Sequence, residues 1–271
     1  MATRWNRRSF LRFTAGAAGT CLLGACGGSG ESEGGHRLSA AVEPRNVSRP
    51  RVAITRCRTY EMDVVKEALK KCFDHLGGIG KLVRGKTVTV KINLTGKPFR
   101  NLFGQPPGET YLTHGSTAHA LASLCIDNGA NRVRFVDSTN YREDMREVLS
   151  MAEWDVESLL SLGKVELEDT RNLGNGSRYA HLTVPEGGRL FSSFDVNHAY
   201  ADTDVFISLA KMKNHSAAGV TLAMKNLIGI APNSLYGADA GSEDAVKGRS
   251  GFHGMGRRSG KHLWPGEKES D

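Results

Sequence analysis

A chain of 271 residues that is 39% hydrophobic and 24% charged can close a packed core, as one large domain or two small ones, which speaks against a wholly unfolded polymer. Its formal charge of +7 sits at the ends, with Arg4, Arg7, Arg8 and Arg12 at one and an excess of basic side chains after residue 246 at the other. Residues 27–246 balance, which argues against a nucleic-acid-binding face on the folded part.

The first stretch, "NRRSFLRF" followed by "TAGAAGTCLLGAC", is short, apolar and broken by Arg12, so it does not span a bilayer as a mature helix. Arg7-Arg8 ahead of Phe10 and Leu11 resembles a twin-arginine export signal, and Leu23-Gly24-Ala25-Cys26 resembles a lipobox. Residues 1–25 are thus expected to be a signal peptide handled by the twin-arginine export machinery. Cys26 becomes the acylated first residue of a lipoprotein held on the periplasmic or extracytoplasmic face of a membrane. The alternative is a plain signal peptide with an incidental cysteine. "GGSGESEGG" then opens a flexible tether over 26–49. Twin-arginine export moves folded proteins, often with a cofactor already inserted, so the resemblance implies a cofactor without naming one. The remaining Cys57, Cys72 and Cys125 are odd in number and scattered, which speaks against a disulfide framework and against an iron–sulfur cluster.

Order begins at Pro50. "RVAITRC" (51–57) reads as a strand, "MDVVKEALKKCFDHLGG" (62–78) as an amphipathic helix stopped by glycines, and "KTVTVKINL" (86–94) as a second strand. Between these lies "LGGIGKLVRGK" (76–86), which follows no strand and lacks Ser or Thr after Lys81, so it is a turn and not a phosphate loop. "STAHALASLCIDNGA" (116–130) is a helix, "RVRFVDS" (132–138) a strand, and 142–163 helical in one or two pieces. "KVELEDT" (164–170), "RYAHLTV" (178–184) and "TDVFISLA" (203–210) are strands. The alternation predicts an α/β domain over 50–246, Rossmann-like, with a mainly parallel sheet and flanking helices. Residues 247–271, rich in Gly and charge, read as a disordered tail, and the reading frame changes character near 247 as if truncated or shifted.

Ligands of parallel sheets gather beyond the carboxyl ends of the strands. Three segments lie there: the long connection 95–115, the turn after Asp137, and "KMKNHSAAGVTLAMKNLIG" (211–229). The last carries most of the chemistry. With Ser216 as N-cap of a short apolar helix, its amides would join Lys211 and Lys213 in attracting a phosphate or carboxylate. Lys225 lies among Val220, Leu222, Met224 and Leu227, where desolvation favours a neutral amine, and His215 titrates near neutrality. The plainer alternatives are that Lys225 offsets its helix's carbonyl end, that His215 is a turn histidine and that Lys211 and Lys213 are solvated. His114 and His119 fall about 140° apart on a helix and cannot share a metal, so His114 faces the pocket and His119 is structural. Asp137, ending its strand, is placed to bond a sugar hydroxyl or orient a histidine.

Residues 201–232, with "KTVTVKINLTG" (86–96), "THGSTAHALASLCIDNGA" (113–130) and "RVRFVDS" (132–138), resemble the Domain of Unknown Function 362 family in its exported, cluster-free branch. That resemblance implies an α/β domain and no named reaction. His215 and Lys225, ten residues apart with Gly219 between, are also similar to an interval in the lactate racemase family, where the lysine tethers a nickel-pincer nucleotide. The Gly-Gly pair before that lysine and the arginine of the second-strand turn are missing here. The expectation is a lipoprotein that binds an anionic small molecule or nucleotide-like cofactor, phosphorylated or of nickel-pincer type. His215 is its acid/base, Lys225 its tether or electrostatic stabiliser, and Lys91, Asn93, Thr113, His114, Asp137, Lys211, Lys213 and Asn226 line the site. Proton transfer or redox chemistry would follow; the alternative is a non-catalytic envelope binding protein.

Overall fold

The computed structural model describes residues 50–236 apart from 96–98, 139–142, 189–190 and 216–217. The expected signal peptide, tether, tail and Ser216 cap lie outside the described residues.

Four strands form one parallel sheet, β1 (Thr87–Lys91), β2 (Arg132–Asp137), β3 (Val165–Asp169) and β6 (Val205–Ser208), in the order β3-β2-β1-β6. β1 lies at the centre, and its β-branched run is buried from Val88 onward, as a strand covered on both faces requires. On one face the core joins Val88, Val90, Val133 and Phe135 to helix α4 (Gly115–Asp127) and to α5 (Met145–Met151) and α6 (Val156–Ser161). The last two are the predicted 142–163 helix in two pieces, N-capped by the Asp144 and Asp155 carboxylates. Helix α1 (Met62–Leu76) packs on α4 through Val65, Leu69 and Phe73 and stops where Gly77 takes a φ of 106°. A short helix, α2 (Gly80–Val83), and another, α3 (Pro107–Thr110), sit in the connections before and after β1.

The second face is covered by strands. β4 (Ala180–Thr183) pairs antiparallel with β5 (Ser193–Val196), and Leu182, Val196, Ala199 and Tyr200 pack there against Val136. Polar contacts tie this layer down: Arg134 and Glu168 form a buried ion pair at 3.4 Å, Glu168 meets His198 at 2.7 Å, and Thr170 meets the Tyr200 hydroxyl at 2.8 Å. Burial pushes that Tyr200 hydroxyl well above the usual phenol range.

Three expectations are corrected. Residues 51–57 pair in no ladder among the described residues; Val52 and Ile54 face solvent, and the segment lies beside α1 through Arg51 to the His75 carbonyl and Cys72 to Thr55. The 178–184 strand joins the hairpin and not the main sheet. The helix expected after Ser216 is not found over the described residues 218–222: β7 (Lys213–His215) and β8 (Gly219–Thr221) form a hairpin with Gly219 at a φ of 72°, followed by one helical turn, α7 (Ala223–Asn226). The β-branched pair Val220-Thr221 beside a glycine that adopts left-handed backbone favours this hairpin over a helix start. A final turn, α8 (Asn233–Tyr236), closes the described chain.

Candidate anion-binding site

β1 and β2 end side by side, with Lys91 opposite Val136 in register, and this brings the Lys91 ammonium to the Asp137 carboxylate at 2.6 Å. Both side chains are almost fully withdrawn from water. Lys91 also donates to the Ile92 carbonyl, while Asp137 accepts from the Leu94 and Ser138 amides at 2.7 and 2.8 Å. Asn226 locks the arrangement from above, donating to the Lys91 carbonyl and to the Ser208 hydroxyl at 3.1 Å each. Gly229 passes so close that a Cβ there would lie 2.9 Å from the Lys91 nitrogen. The Asp137 carboxylate is therefore engaged by groups of the protein itself. Lys91 and Asn226 likewise serve as the floor of the site.

The connection after β1 is fastened by polar side chains. The Thr113 hydroxyl accepts from the Asn93 amide at 2.8 Å and donates to the Leu209 carbonyl, and the Trp154 indole donates to the Thr113 carbonyl. His114 caps α4 by accepting from the Ser116 amide, and its ring stacks on Tyr60 with centroids 3.8 Å apart. Burial pushes the His114 imidazole down, and the neighbouring Lys211 pushes it further against an opposing pull from Glu109. His119 stands apart, meeting Ser158 at 3.2 Å.

Lys211 and Lys213 converge on the same connection from the β6 side. Lys211 donates to the Gly108 carbonyl at 2.7 Å and the Tyr60 hydroxyl at 2.9 Å, and Lys213 donates to the Tyr111 carbonyl at 2.7 Å. Both are half-buried, and a hairpin follows them over the described residues. The Lys213 amine falls to about 8, first through burial and then through repulsion by Lys225, with Lys211 and Lys91 adding to it and Asp137 opposing. Lys225 is lowered for the same leading reason and by Lys91. The apolar cage expected around it is absent, since Val220, Leu222 and Met224 are exposed. His215 accepts from the Ala218 amide through Nδ1 and is lowered by desolvation, by Lys225 and by Lys213.

Two buried polar atoms in this neighbourhood have no hydrogen-bond partner: Asn93 Oδ1 and Thr221 Oγ1. Thr221 stands directly across the hairpin from Lys213. A buried polar atom without a partner costs free energy that a bound ligand recovers. Thr221, Tyr60 and Tyr111 join this neighbourhood with little signal in the sequence; only the β-branched character of Thr221 next to Gly219 hinted at a strand facing Lys213. No group of three or more His, Cys, Asp or Glu that could hold a metal occurs among the described residues.

The description "Domain of unknown function (DUF362)" matches residues 88–256, more than half the chain and all of the residues just described except Tyr60. The chain belongs to the DUF362 family. The thylakoid-associated protein sll1697 of Synechocystis sp. is similar to this DUF362 chain, 24% identical over 185 residues that cover 68% of the chain and 51% of that protein. The chain spans about half the length of this curated relative. No solved structure matches it. These comparisons do not show the further likeness to lactate racemases, and no helix among the described residues is long and apolar enough to cross a membrane.

Proposed function

We propose that this DUF362 chain binds an anionic small molecule or a phosphorylated, nucleotide-like cofactor beyond the ends of β1 and β6, with proton-transfer or redox chemistry at that site. One observation carries the reading: four lysines, 91, 211, 213 and 225, act on one another there while the nearby Asp137 carboxylate is already taken by Lys91. An anion relieves the repulsion that lowers Lys213 and supplies acceptors to its ammonium. Thr221 Oγ1 is a donor in want of an acceptor, and Asn93 Oδ1 an acceptor in want of a donor, which suits a ligand carrying an anionic group beside a hydroxyl or amine.

For proton transfer, Lys213 falls to about 8, which brings its amine toward neutral pH, and the His215 imidazole beside it is lowered as well, by desolvation, Lys225 and Lys213. Lys225 stabilises negative charge or, as the expected tether, carries the cofactor. The donor set fits a phosphate; a nickel-pincer group rests on the interval between His215 and Lys225. A second reading, a binding protein without chemistry, is favoured by Lys211 and Lys213 each spending donors on backbone carbonyls, which makes a rigid receptor.

The Arg7-Arg8 pair and Cys26 support export by the twin-arginine route and attachment through a lipidated cysteine, and the name of the Synechocystis relative supports a membrane location. Calorimetric titration of the full chain with inorganic pyrophosphate tests the reading. Binding that weakens roughly ten-fold or more in Lys213→Met is expected, the size of one charge-assisted contact. Absence of heat, or equal affinity in Lys213→Met, overturns it. Between the two readings, turnover lost with affinity kept in His215→Asn and Lys225→Met marks catalysis, and loss of affinity alone marks a receptor.

A further inference from the structure

Leu102 and Gln105 close a two-residue turn, the Leu102 amide donating to the Gln105 carbonyl at 3.0 Å and the Gln105 amide returning to Leu102 at 2.9 Å. Phe103 and Gly104 occupy its corners with φ of 55° and 77°. Such turns favour Asn or Asp followed by Gly, because a left-handed backbone strains any residue with a bulky Cβ. Here the strained corner holds a phenylalanine, and that side chain is 98% exposed. The turn therefore keeps an aromatic ring in water at the cost of backbone strain, which points outside the fold for its partner.

The surroundings say what that partner is. Arg100, exposed, is fixed by the Tyr111 hydroxyl, which accepts from its amide at 2.8 Å; the Tyr111 carbonyl in turn holds Lys213. Met212, between the two inward lysines, and Met224, beside Lys225, are 76% and 64% exposed. These two leave the end of β6 as Phe103 leaves the end of its neighbour β1, so the apolar tips and the cations belong to one end of the sheet. Glu109 is the exposed carboxylate on the same connection. Isolated apolar tips set among cations suit a surface that is oily beneath and negative above.

We propose that this end of the sheet docks directly on an anionic lipid surface, with Phe103 inserted at headgroup depth and Arg100 and Lys225 over the phosphates. Docking here is separate from any acyl chain on Cys26 and turns the mouth of the lysine site toward the membrane. It holds whether or not that site takes a soluble anion, so the pyrophosphate titration and the following test fail independently.

Full chain carrying Cys26→Ser is sedimented with vesicles of equal parts phosphatidylglycerol and phosphatidylcholine, and with phosphatidylcholine alone. Binding is expected for the mixed vesicles and is lost on raising salt. Phe103→Asn suits the left-handed corner, so the variant folds with an unchanged or higher melting temperature while its vesicle affinity falls roughly ten-fold, the worth of burying one aromatic ring. Phe103→Trp keeps the affinity. Equal vesicle binding by the parent and Phe103→Asn overturns the proposal, because the arginines near the amino terminus then suffice. Loss of a dimer in Phe103→Asn with vesicle binding unchanged overturns it too and assigns the tip to a protein contact.

Discussion

Lys91 and Asp137, 46 residues apart in the chain, meet at 2.6 Å with side chains only 2% and 5% exposed. Two neighbouring parallel strands thus end in a buried ion pair whose remaining hydrogen bonds come from backbone and from Asn226. A pair of this kind adds little over an apolar one, but breaking it strands a charge away from water. Asp137→Ala is therefore expected to destabilise the protein by about 3–5 kcal/mol in urea titration, and the double variant Lys91→Met, Asp137→Asn to recover much of that loss.

The amine of Lys213 gives a sign to the pH dependence. Its folded value, about 8, lies below that of an ordinary lysine at 10.5, so between these two the unfolded chain binds the extra proton. Stability then rises with pH across that window, and the deficit is present in full below about 8. Denaturation midpoints measured from pH 7 to 10.5 should climb in the parent and climb less steeply in Lys213→Met. Competitive acylation should find this amine reacting at lower pH than the exposed lysines of α1.

Thr221 is a buried hydroxyl without a partner opposite Lys213. Thr221→Val keeps the shape and removes the polar atom, so the unliganded protein should be as stable or gain up to about 1 kcal/mol. Pyrophosphate affinity should fall in the same variant, as titration calorimetry would report. A stability loss with affinity unchanged would place the hydroxyl in the fold and not in the site.

Gly229 has no room for a side chain, with the Lys91 nitrogen 2.9 Å from where a Cβ would stand and Asp137 Oδ1 at 3.3 Å. Gly229→Ala must push the ion pair or the backbone aside and should cost about 1–3 kcal/mol in thermal or urea unfolding. An unchanged melting temperature would mean that the 3₁₀ turn around Gly229 moves freely.

Thr113→Val removes the acceptor for the Asn93 amide and the donor to the Leu209 carbonyl in one step. A loss of about 1–3 kcal/mol is expected, together with faster proteolysis inside 99–115.

The alternation of helix and strand was readable because β1 opens as a β-branched run, β2 alternates Arg with Val and Phe, and α1 carries one apolar stripe ended by Gly77. Periodicity does not reveal pairing, however. Residues 51–57 have a strand's composition and no neighbour, whereas Ser193–Val196 is a strand only because Ala180–Thr183 lies beside it. The segment 213–221 reads as a helix start because Ser216 suits an N-cap and an apolar run follows it; Gly219 decides otherwise through its left-handed backbone. Lys91, Asn93, Thr113, His114, Asp137, Lys211, Lys213 and Asn226 were marked by strand-end position; of these, Lys91 meets Asp137 and Asn226, and Asn93 meets Thr113. Whether a residue faces a ligand or braces its neighbours depends on three-dimensional partners, which is why the Lys91–Asp137 pair and the surroundings of Tyr60 and Thr221 do not show in the sequence.

β6 joins β1 in direct ladder pairing across a chain separation of 117 residues, and the entire 211–226 segment hangs from its far end. Closing so long a loop is slow, so β1, β2 and β3 with their helices can assemble early while the edge strand arrives late. The same strand is the one that a local fluctuation can detach with least damage. Its amides should then exchange with deuterium sooner than those of β1, and occupancy of the lysine cluster would be felt as protection at that edge.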